Sequence, residues 1–240
     1  MKRFIYILIS IVLMTSCQQE VMELNCGTAV LELDLLRAGR PTMTVTRAVD
    51  EDLVVDVLRQ DGSLFVHYDA GHVERKIVLE PGTFTIRAYT DNQENWQSAN
   101  GGKGESCYFA ETTVVMEEDM VKRLQMRVPM TNYAVSLQLP DLWDNLFTSY
   151  YFTLKSGNRT VNIAQGEKAY FDLTDGGFSY ALMATNTDGI THSHSAIDYT
   201  EVQAGRLFTI RYSYDSNANT GGVDIIITDD MGTNDTEIHL

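Results

Sequence analysis

Short stretches in which apolar and polar residues alternate recur along the chain, and no apolar pattern of helical period reaches the length of an ordinary helix. In the first such stretch, Leu31, Leu33 and Leu35 alternate with Glu32 and Asp34. Successive side chains of a strand point to opposite faces, so this pattern predicts a strand buried on one face. Many such stretches at regular spacing predict an all-β sandwich or barrel.

Fourteen strands are predicted. They cover residues 30–35, 53–59, 64–68, 73–79, 84–89, 108–116, 122–128, 134–139, 150–154, 160–164, 169–173, 180–185, 206–213 and 223–228. Asp61-Gly62 predicts a hairpin between the second and third strands. Pro81-Gly82 predicts a type II turn between the fourth and fifth strands, because that turn takes proline and then a residue with positive φ. Trp143 and Phe147, four residues apart, favour a single helical turn.

The strands fall into two series that meet near residue 129. Pro129 to Asn132 is rich in turn-forming residues. A weak internal echo supports a division there, since residues 81–85 (PGTFT) resemble residues 175–179 (DGGFS), and Arg123-Leu124 resembles Arg206-Leu207. We therefore predict two tandem β-sandwich domains, one over residues 28–128 and the other over residues 129–240.

The first seventeen residues have the layout of a bacterial export signal. Lys2 and Arg3 precede an apolar run over residues 4–14, and Thr15-Ser16-Cys17 closes it. The run is too short for the roughly 20 residues of a spanning helix. We predict a signal peptide over residues 1–16 and a tether over residues 17–27. A plain signal peptide with an incidental cysteine is the alternative interpretation.

The charge of the chain excludes one class of function. The formal net charge is −15, and removal of Lys2 and Arg3 with the signal would make it −17. Such a surface repels nucleic acid and anionic lipid, and the basic patch of a nucleic-acid-binding protein is missing. We expect an acidic, exported body that is tethered at one end.

No set of catalytic residues stands out. The sequence has no Gly-x-Ser-x-Gly elbow, no dinucleotide fingerprint and no phosphate-binding loop. His192 and His194 form the closest histidine pair, but their surroundings predict a solvated loop tip rather than a metal site. The carboxylates at 117–119 and at 229–230 fall at predicted turns. We therefore predict that the chain is not an enzyme and holds neither cofactor nor metal.

Aromatic and sulfur-containing residues leave several alternatives open. Trp96 lies in a polar loop over residues 91–106, where it either stacks on a sugar or anchors the loop against a sheet. Tyr150 and Tyr151 are adjacent on a strand, so one ring is expected inside and one outside. Cys26 and Cys107 either form a disulfide or remain separate buried thiols.

Several of these segments resemble Bacteroidetes surface lipoproteins of the fimbrillin-like and fimbrial-anchor families. Met14-Thr15-Ser16-Cys17 is similar to a lipobox, with Met14 in place of the usual leucine. The threonine-rich segment that ends in Thr46-Arg47-Ala48, the strand pair over residues 79–89 and the ending over residues 222–230 are also similar. The resemblance implies two transthyretin-like sandwiches and a diacylglycerol anchor on Cys17.

The resemblance also implies how such a protein assembles. Members of these families donate a strand to the open groove of a neighbouring subunit, and polymerising members are first cut by a protease after Arg or Lys. Arg47-Ala48 occupies the position of that cut. We expect an outer-membrane fimbrial anchor, accessory or tip subunit whose partners are other fimbrial subunits. The alternative is a surface lipoprotein that binds a glycan or a host protein. Display on the inner or the outer leaflet remains open.

Overall fold

The structure is a computed structural model that describes the backbone of residues 27–37, 52–215, 220–229 and 236–239. Side chains are described up to residue 213, with the exception of Ser195. The described strands are β1 (Ala29–Arg37), β2 (Leu53–Arg59), β3 (Leu64–Tyr68), β4 (Lys76–Leu79), β5 (Gly82–Thr90), β6 (Phe109–Met116), β7 (Val121–Val128), β8 (Tyr133–Gln138), β9 (Phe147–Ser156), β10 (Arg159–Ile163), β11 (Lys168–Phe171), β12 (Phe178–Asn186), β13 (Thr191–Tyr199), β14 (Arg206–Asp215), β15 (Thr220–Asp229) and β16 (Thr236–His239).

Helices are single turns. They are α1 (Ala99–Gly102), α2 (Trp143–Leu146) and the 3-10 turns Trp96–Ser98 and Leu173–Asp175. The helical turn predicted around Trp143 and Phe147 is confirmed, and the two rings stack with centroids 4.1 Å apart.

The strands form two β-sandwiches in tandem, as predicted. In the first sandwich, β4-β1-β7 faces β3-β2-β5-β6, and in the second, β11-β8-β14-β15-β16 faces β10-β9-β12-β13. Each of β1 to β7 therefore has a counterpart seven strands later in the same sheet position. The strands β15 and β16 have no counterpart in the described part of the first sandwich.

Each sandwich has a core of its own. The first core is mainly aliphatic and includes Leu31, Leu33, Leu53, Ile77 and Ile86. The second is built largely from aromatic rings, whose main members are Tyr133, Phe152, Phe171, Phe178, Tyr180 and Phe208. The alternation in the sequence produces both, because every second side chain of each strand points between the two sheets.

One of the two internal sequence similarities corresponds to equivalent positions in the structure. Phe84 and Phe178 lie near the start of β5 and β12, and both are buried in equivalent positions of their sheets. The second pair of similar segments, Arg123-Leu124 and Arg206-Leu207, lies on the equivalent strands β7 and β14, but the two leucines point to different faces of their sheets. Leu124 pairs with Leu33, which points into the first core, whereas Leu207 pairs with Ala134, which is outside the second core cluster.

Two local predictions are wrong. β4 and β5 belong to different sheets, so Pro81-Gly82 carries the chain across the sandwich, and Gly82 has φ +156° rather than the value near +80° of a type II turn. The segment around His192 and His194, predicted as a loop tip, belongs to β13. In the first half of β13 histidines lie opposite the buried residues Leu182 and Ala184, so the alternation that marks a half-buried strand is missing there. Farther along β13, Ile197 and Tyr199 pack against the core.

Candidate functional site

The residues predicted for lipid attachment and proteolysis lie outside the described part of the chain. Cys17, Arg47 and Ala48 all fall there, as does Cys26. Lipidation of Cys17 and cleavage after Arg47 therefore stay predictions. Within the described ranges, no helix is long and apolar enough to cross a membrane.

The strand that follows the tether is an integral part of the first sandwich. β1 lies in the middle of its sheet, antiparallel to β4 and parallel to β7. Its four inward side chains, Ala29, Leu31, Leu33 and Leu35, are at most 1% exposed. β1 is therefore locked in place by two ladders and by the core.

The outward side chains of β1 form ion pairs with both neighbouring strands. Glu32 lies 3.7 Å from Lys76 of β4, and Asp34 lies 2.6 Å from Arg123 of β7. Asp34 accepts hydrogen bonds from two nitrogens of Arg123, and this raises the pKa of the arginine. These exposed pairs fix the register of the sheet more than they stabilise it.

Trp96 anchors its loop at the junction of the two sandwiches and is only 8% exposed. The guanidinium of Arg159, from β10, lies 5.5 Å from the Trp96 ring and 5.1 Å from the Phe171 ring. Of the two interpretations of Trp96, the anchor is confirmed. A buried indole has no face left for a sugar, so a glycan site at Trp96 is not supported.

Arg159 also binds backbone from both sandwiches. It donates to the carbonyl oxygens of Gln97 (3.1 Å) and Gly102 (2.6 Å) in the loop of the first sandwich, and to that of Tyr170 (2.6 Å) in β11. Desolvation is the main cause that lowers the pKa of Arg159, while Asp175 opposes it. Arginine remains charged in proteins. The junction therefore contains a cation that is stabilised by backbone carbonyl groups and by the faces of two aromatic rings.

Further contacts close the junction around Arg159. The amide of Tyr170 donates to the carbonyl of Lys103 at 2.8 Å, and Lys103 Nζ lies 2.6 Å from Glu167. The hydrogen bond from Lys103 lowers the pKa of Glu167. Gly104, at φ +84°, brings the loop so close that a Cβ there would lie 3.2 Å from the carbonyl oxygen of Tyr170.

Asn132, which precedes the first strand of the second sandwich, binds the backbone of the first sandwich beside Cys107. The Asn132 side chain accepts from the Cys107 amide at 3.1 Å and donates to the Glu105 carbonyl at 2.7 Å. Cys107 is a buried free thiol that donates to Asn92 at 3.6 Å. Burial raises its pKa to about 12, which disfavours the reactive thiolate at neutral pH.

The histidine pair on β13 is also structural. The ring of His192 meets Phe147 edge to face at 6.4 Å, and His194 Nδ1 lies 3.3 Å from the Tyr212 hydroxyl. The two side chains share a face, as the i, i+2 spacing requires, yet each is turned to its own aromatic partner. In the parts of the chain that the structure describes, no group of three or more His, Cys, Asp or Glu side chains could hold a metal ion.

A shallow groove of about 500 Å³ runs along the first half of β9. β10 pairs with β9 only from Phe152 to Ser156, so the strand before Phe152 has no described neighbour on that side. Tyr150 packs against the core and Tyr151 is 62% exposed, which confirms the predicted alternation of the two rings. Asp144 and Glu167 lie at the rim of the groove, but Glu167 is already paired with Lys103.

The sequence matches one protein family over most of its length. The DUF4493 family, described as a domain of unknown function, matches residues 27–240. The chain belongs to the DUF4493 family. No curated protein matches this member of the family.

Solved structures similar to this DUF4493 chain carry fimbrial and adhesion names. A candidate cell adhesion protein from Bacteroides uniformis is 12% identical, with a TM-score of 0.49, and the match covers 85% of this chain and 96% of that one. A fimbrial assembly protein from Parabacteroides distasonis is 9% identical, with a TM-score of 0.45 and coverages of 89% and 98%. The fimbrial anchor protein Mfa2 from Porphyromonas gingivalis is 12% identical, with a TM-score of 0.42 and coverages of 88% and 99%.

Proposed function

We propose that this chain is an outer-membrane lipoprotein, anchored through lipid on Cys17, that serves as a structural anchor, accessory or tip subunit of a fimbrium and not as an enzyme. The proposal belongs to the same class as the fimbrial proteins named above, but its support comes from this chain's own residues. The observation that carries it is the position of β1, which follows the tether directly and lies in the middle of the first sandwich. The division into sandwiches at residue 129 is part of the proposal.

The packing of β1 makes a firm link between lipid and body. Burial of a leucine contributes about 1.5 to 3 kcal/mol, so Leu31, Leu33 and Leu35 together contribute roughly 5 to 9 kcal/mol. Eleven residues lie between Cys17 and Ala29. The twelve residue steps from Cys17 to Ala29 span at most about 43 Å when extended. A body held this close to its lipid suits a subunit that stays at the membrane.

Cleavage after Arg47 would not by itself release the body. The cut would separate β1 from β2 in the chain, but β1 would still be held by its two ladders and by the core. Release would require removal of β1 from the sheet, which exposes its leucines. We therefore propose that β1 stays in place in this subunit and that strand exchange involves other edges.

The anchor is tested by a single substitution. Cys17→Ala should abolish labelling by radioactive palmitate and should move the chain from the outer-membrane fraction to the soluble fraction. Cys26→Ala is the matched control, because it removes a nearby cysteine and should leave the labelling unchanged. Label that persists in Cys17→Ala, or label lost in Cys26→Ala, would overturn the assignment of the lipid to Cys17.

The fimbrial role is tested in the native host. Deletion of the gene should shorten, detach or abolish a fimbrium, and the chain should co-purify with a polymeric pilin. Re-expression of wild-type chain should restore the fimbrium, whereas Cys17→Ala should restore it only in a detached form. Unchanged fimbriae in the deletion strain would rule out the proposed role.

A further inference from the structure

The outer face of one sheet in the second sandwich is uncharged over two successive cross-strand rows. The sheet has the order β10-β9-β12-β13. Its pairing places six outward side chains in these rows, namely Ser149, Thr185 and Thr191 in one and Tyr151, Met183 and Ser193 in the next. None of the six is charged, although 21% of the residues of this chain are Asp, Glu, Lys or Arg.

The equivalent sheet of the first sandwich has a charged outer face. In β3-β2-β5-β6, pairing places His67, Asp56, Arg87 and Glu111 in one row across all four strands. His67 is bound to Asp56, and Arg87 is bound to Glu111. Because the two sandwiches have the same strand order, the fold requires neither pattern. The uncharged face is therefore a separate feature of the second sandwich.

An exposed aromatic ring belongs to the uncharged face. Tyr151 is 62% exposed, and Met183, directly opposite on β12, is 47% exposed. Tyr151 also lines the groove of about 500 Å³ beside β9, together with Ser149 and Asn162. That volume lies within the range of roughly 300 to 1,000 Å³ that small-molecule sites occupy. The face thus continues into a groove of ligand size that has an exposed ring in its wall.

Hydrogen-bonding groups line the groove beside Tyr151. Asn162 lies opposite Thr153, whose hydroxyl donates to Asn162 Oδ1 at 2.8 Å. This bond fixes the amide with its nitrogen as the remaining donor. Ser149 adds a hydroxyl, and Asp144 adds a carboxylate that accepts strong hydrogen bonds. The groove therefore combines one apolar ring with a donor, a hydroxyl and a carboxylate.

We propose that this groove is a binding site for a short neutral glycan, a function separate from the fimbrial role. The C–H bonds on one face of a sugar ring pack on the Tyr151 ring, and the hydroxyl groups of the sugar bond to Asn162, Ser149 and Asp144. The Asp144 carboxylate and the formal charge of −15 on the whole chain repel anionic sugars. A neutral glycan meets the uncharged face without that repulsion.

A protein partner, including a second copy of this chain, fits the face less well. A specific protein interface buries about 800 Å² on each partner around an apolar centre. The two rows provide only Tyr151 and Met183 as large apolar side chains. Two copies would also bring together bodies that each carry a formal charge of −15. A glycan needs one ring and a few polar groups, and the groove supplies these.

A glycan array tests the site and the class of its ligand. The purified full chain, in a detergent without a sugar head group, is applied to printed neutral, sialylated and sulfated glycans. We expect binding to a subset of the neutral glycans and none to the sialylated or sulfated ones. An array without a neutral ligand, or one on which anionic glycans bind as strongly as neutral ones, would overturn the proposal.

Substitutions test the contact with Tyr151. With the strongest neutral glycan from the array, titration calorimetry should show at least tenfold weaker binding to Tyr151→Ala. Tyr151→Phe keeps the ring and should stay within threefold of wild type, whereas Asn162→Ala loses the donor and should bind at least threefold more weakly. Phe109→Ala is the matched control, because Phe109 is a ring on β6 of the equivalent sheet that is 39% exposed. It should change the affinity less than twofold.

Two further results would contradict the proposal. One is an equal effect of Tyr151→Ala and Phe109→Ala on glycan affinity. The other is a Tyr151→Ala chain that loses a co-purifying fimbrial subunit while the wild-type chain binds no glycan, which would assign the face to a protein partner. Because Tyr151 is exposed, Tyr151→Ala should unfold at the urea concentration of wild type, so that weaker binding reports a lost contact.

The outcomes separate this site from the proposed function. If the deletion strain keeps normal fimbriae while the purified chain binds neutral glycans through Tyr151, the glycan site stands and the fimbrial role fails. If fimbriae depend on the chain but the array shows no neutral ligand, the fimbrial role stands and the glycan site fails.

Discussion

The first and second sandwiches pair their strands in the same order, but different types of side chain pack between their sheets. In the first, leucine, valine and isoleucine pack between the sheets, whereas the centre of the second is a cluster of six aromatic rings. The second sandwich also extends its sheet with β15 and β16, and its β9 has ten residues where β2 has seven. The comparison teaches that alternation of apolar and polar residues sets this topology, while the size of the apolar residues does not.

The largest effect is expected from the aromatic core. Phe208 has three ring neighbours, Tyr133, Phe178 and Tyr199, with centroids 5.4 to 5.8 Å away. Phe208→Ala should cost about 3 to 5 kcal/mol, because a large cavity opens among rings that cannot collapse into it. Urea unfolding in a Trp96→Phe background, in which Trp143 is the one remaining tryptophan, measures the loss by fluorescence. Leu33→Ala is the counterpart in the first core, and a transition of Trp143 that shifts equally in both variants would show that the sandwiches unfold as one unit.

Gly177 should tolerate substitution less well than Gly82, although both lie at the start of equivalent strands. A Cβ at Gly177 would lie 2.3 Å from the carbonyl oxygen of Tyr199, whereas at Gly82 its nearest neighbour is Phe84 at 3.7 Å. Gly177→Ala should therefore cost about 3 kcal/mol and Gly82→Ala about 1 kcal/mol, the latter from backbone strain alone. Thermal unfolding of the two variants checks the order, and similar melting temperatures would contradict it.

The junction between the sandwiches comes next in size. Arg159→Ala removes the donor from three carbonyl oxygens and the cation from two rings, and we expect a loss of about 2 to 3 kcal/mol. The loop that holds Trp96 should loosen, which hydrogen exchange over residues 96–104 would detect. Arg159→Lys is the matched control. It keeps the charge, but its single ammonium nitrogen lacks the planar fork with which two guanidinium nitrogens reach the three carbonyl oxygens, so it should recover only part of the protection. If Arg159→Ala showed the same hydrogen exchange over residues 96–104 as the wild-type chain, Arg159 would not be what holds this loop in place.

The smallest effect is a pH dependence confined to the first sandwich. Hydrogen bonds to Asp56 (2.6 Å) and Asp69 (3.2 Å) raise the pKa of His67 above its ordinary value of 6.5. The protonated form is thus favoured by folding, so this stabilisation is complete below pH 6.5 and disappears as the pH rises through the raised value. Because the ring is 43% exposed, the effect should stay below about 1 kcal/mol. His67→Asn should remove this slope from urea midpoints measured between pH 6 and 9, and an unchanged slope would refute the role of His67.

Most of the strands that could be predicted were found from the alternation of apolar and polar residues. β2 and β3 have the predicted bounds, and β1 begins one residue earlier and ends two residues later than predicted. β13 was missed because two of its positions opposite buried residues of β12 carry the polar residues His192 and His194. The sheet change after β4 was missed because a Pro-Gly pair is compatible with both a tight turn and a crossing between sheets. Local sequence does not distinguish the two.

The candidate sites were less predictable than the fold. The role of Trp96 as a loop anchor depends on its contact with Arg159, which lies 63 positions later in the chain and could not be paired with it from the sequence. In the described part of the chain β7 has no partner strand on one side, and no motif marks such an edge, because the sequence of the strand looks like that of any other. The ion pair between Arg123 and Asp34 likewise becomes visible only when the register places β7 beside β1.

The sequence by itself determined that this protein is all-β, that its strands form two series, and that its first seventeen residues have the layout of a lipoprotein signal. These properties depend on side chains close together in the chain, so period and composition are enough to predict them. The tertiary structure decided that β1 is central and that Arg159 joins the two sandwiches. Those properties depend on which distant backbone segments pair, and pairing is set by packing of the whole molecule.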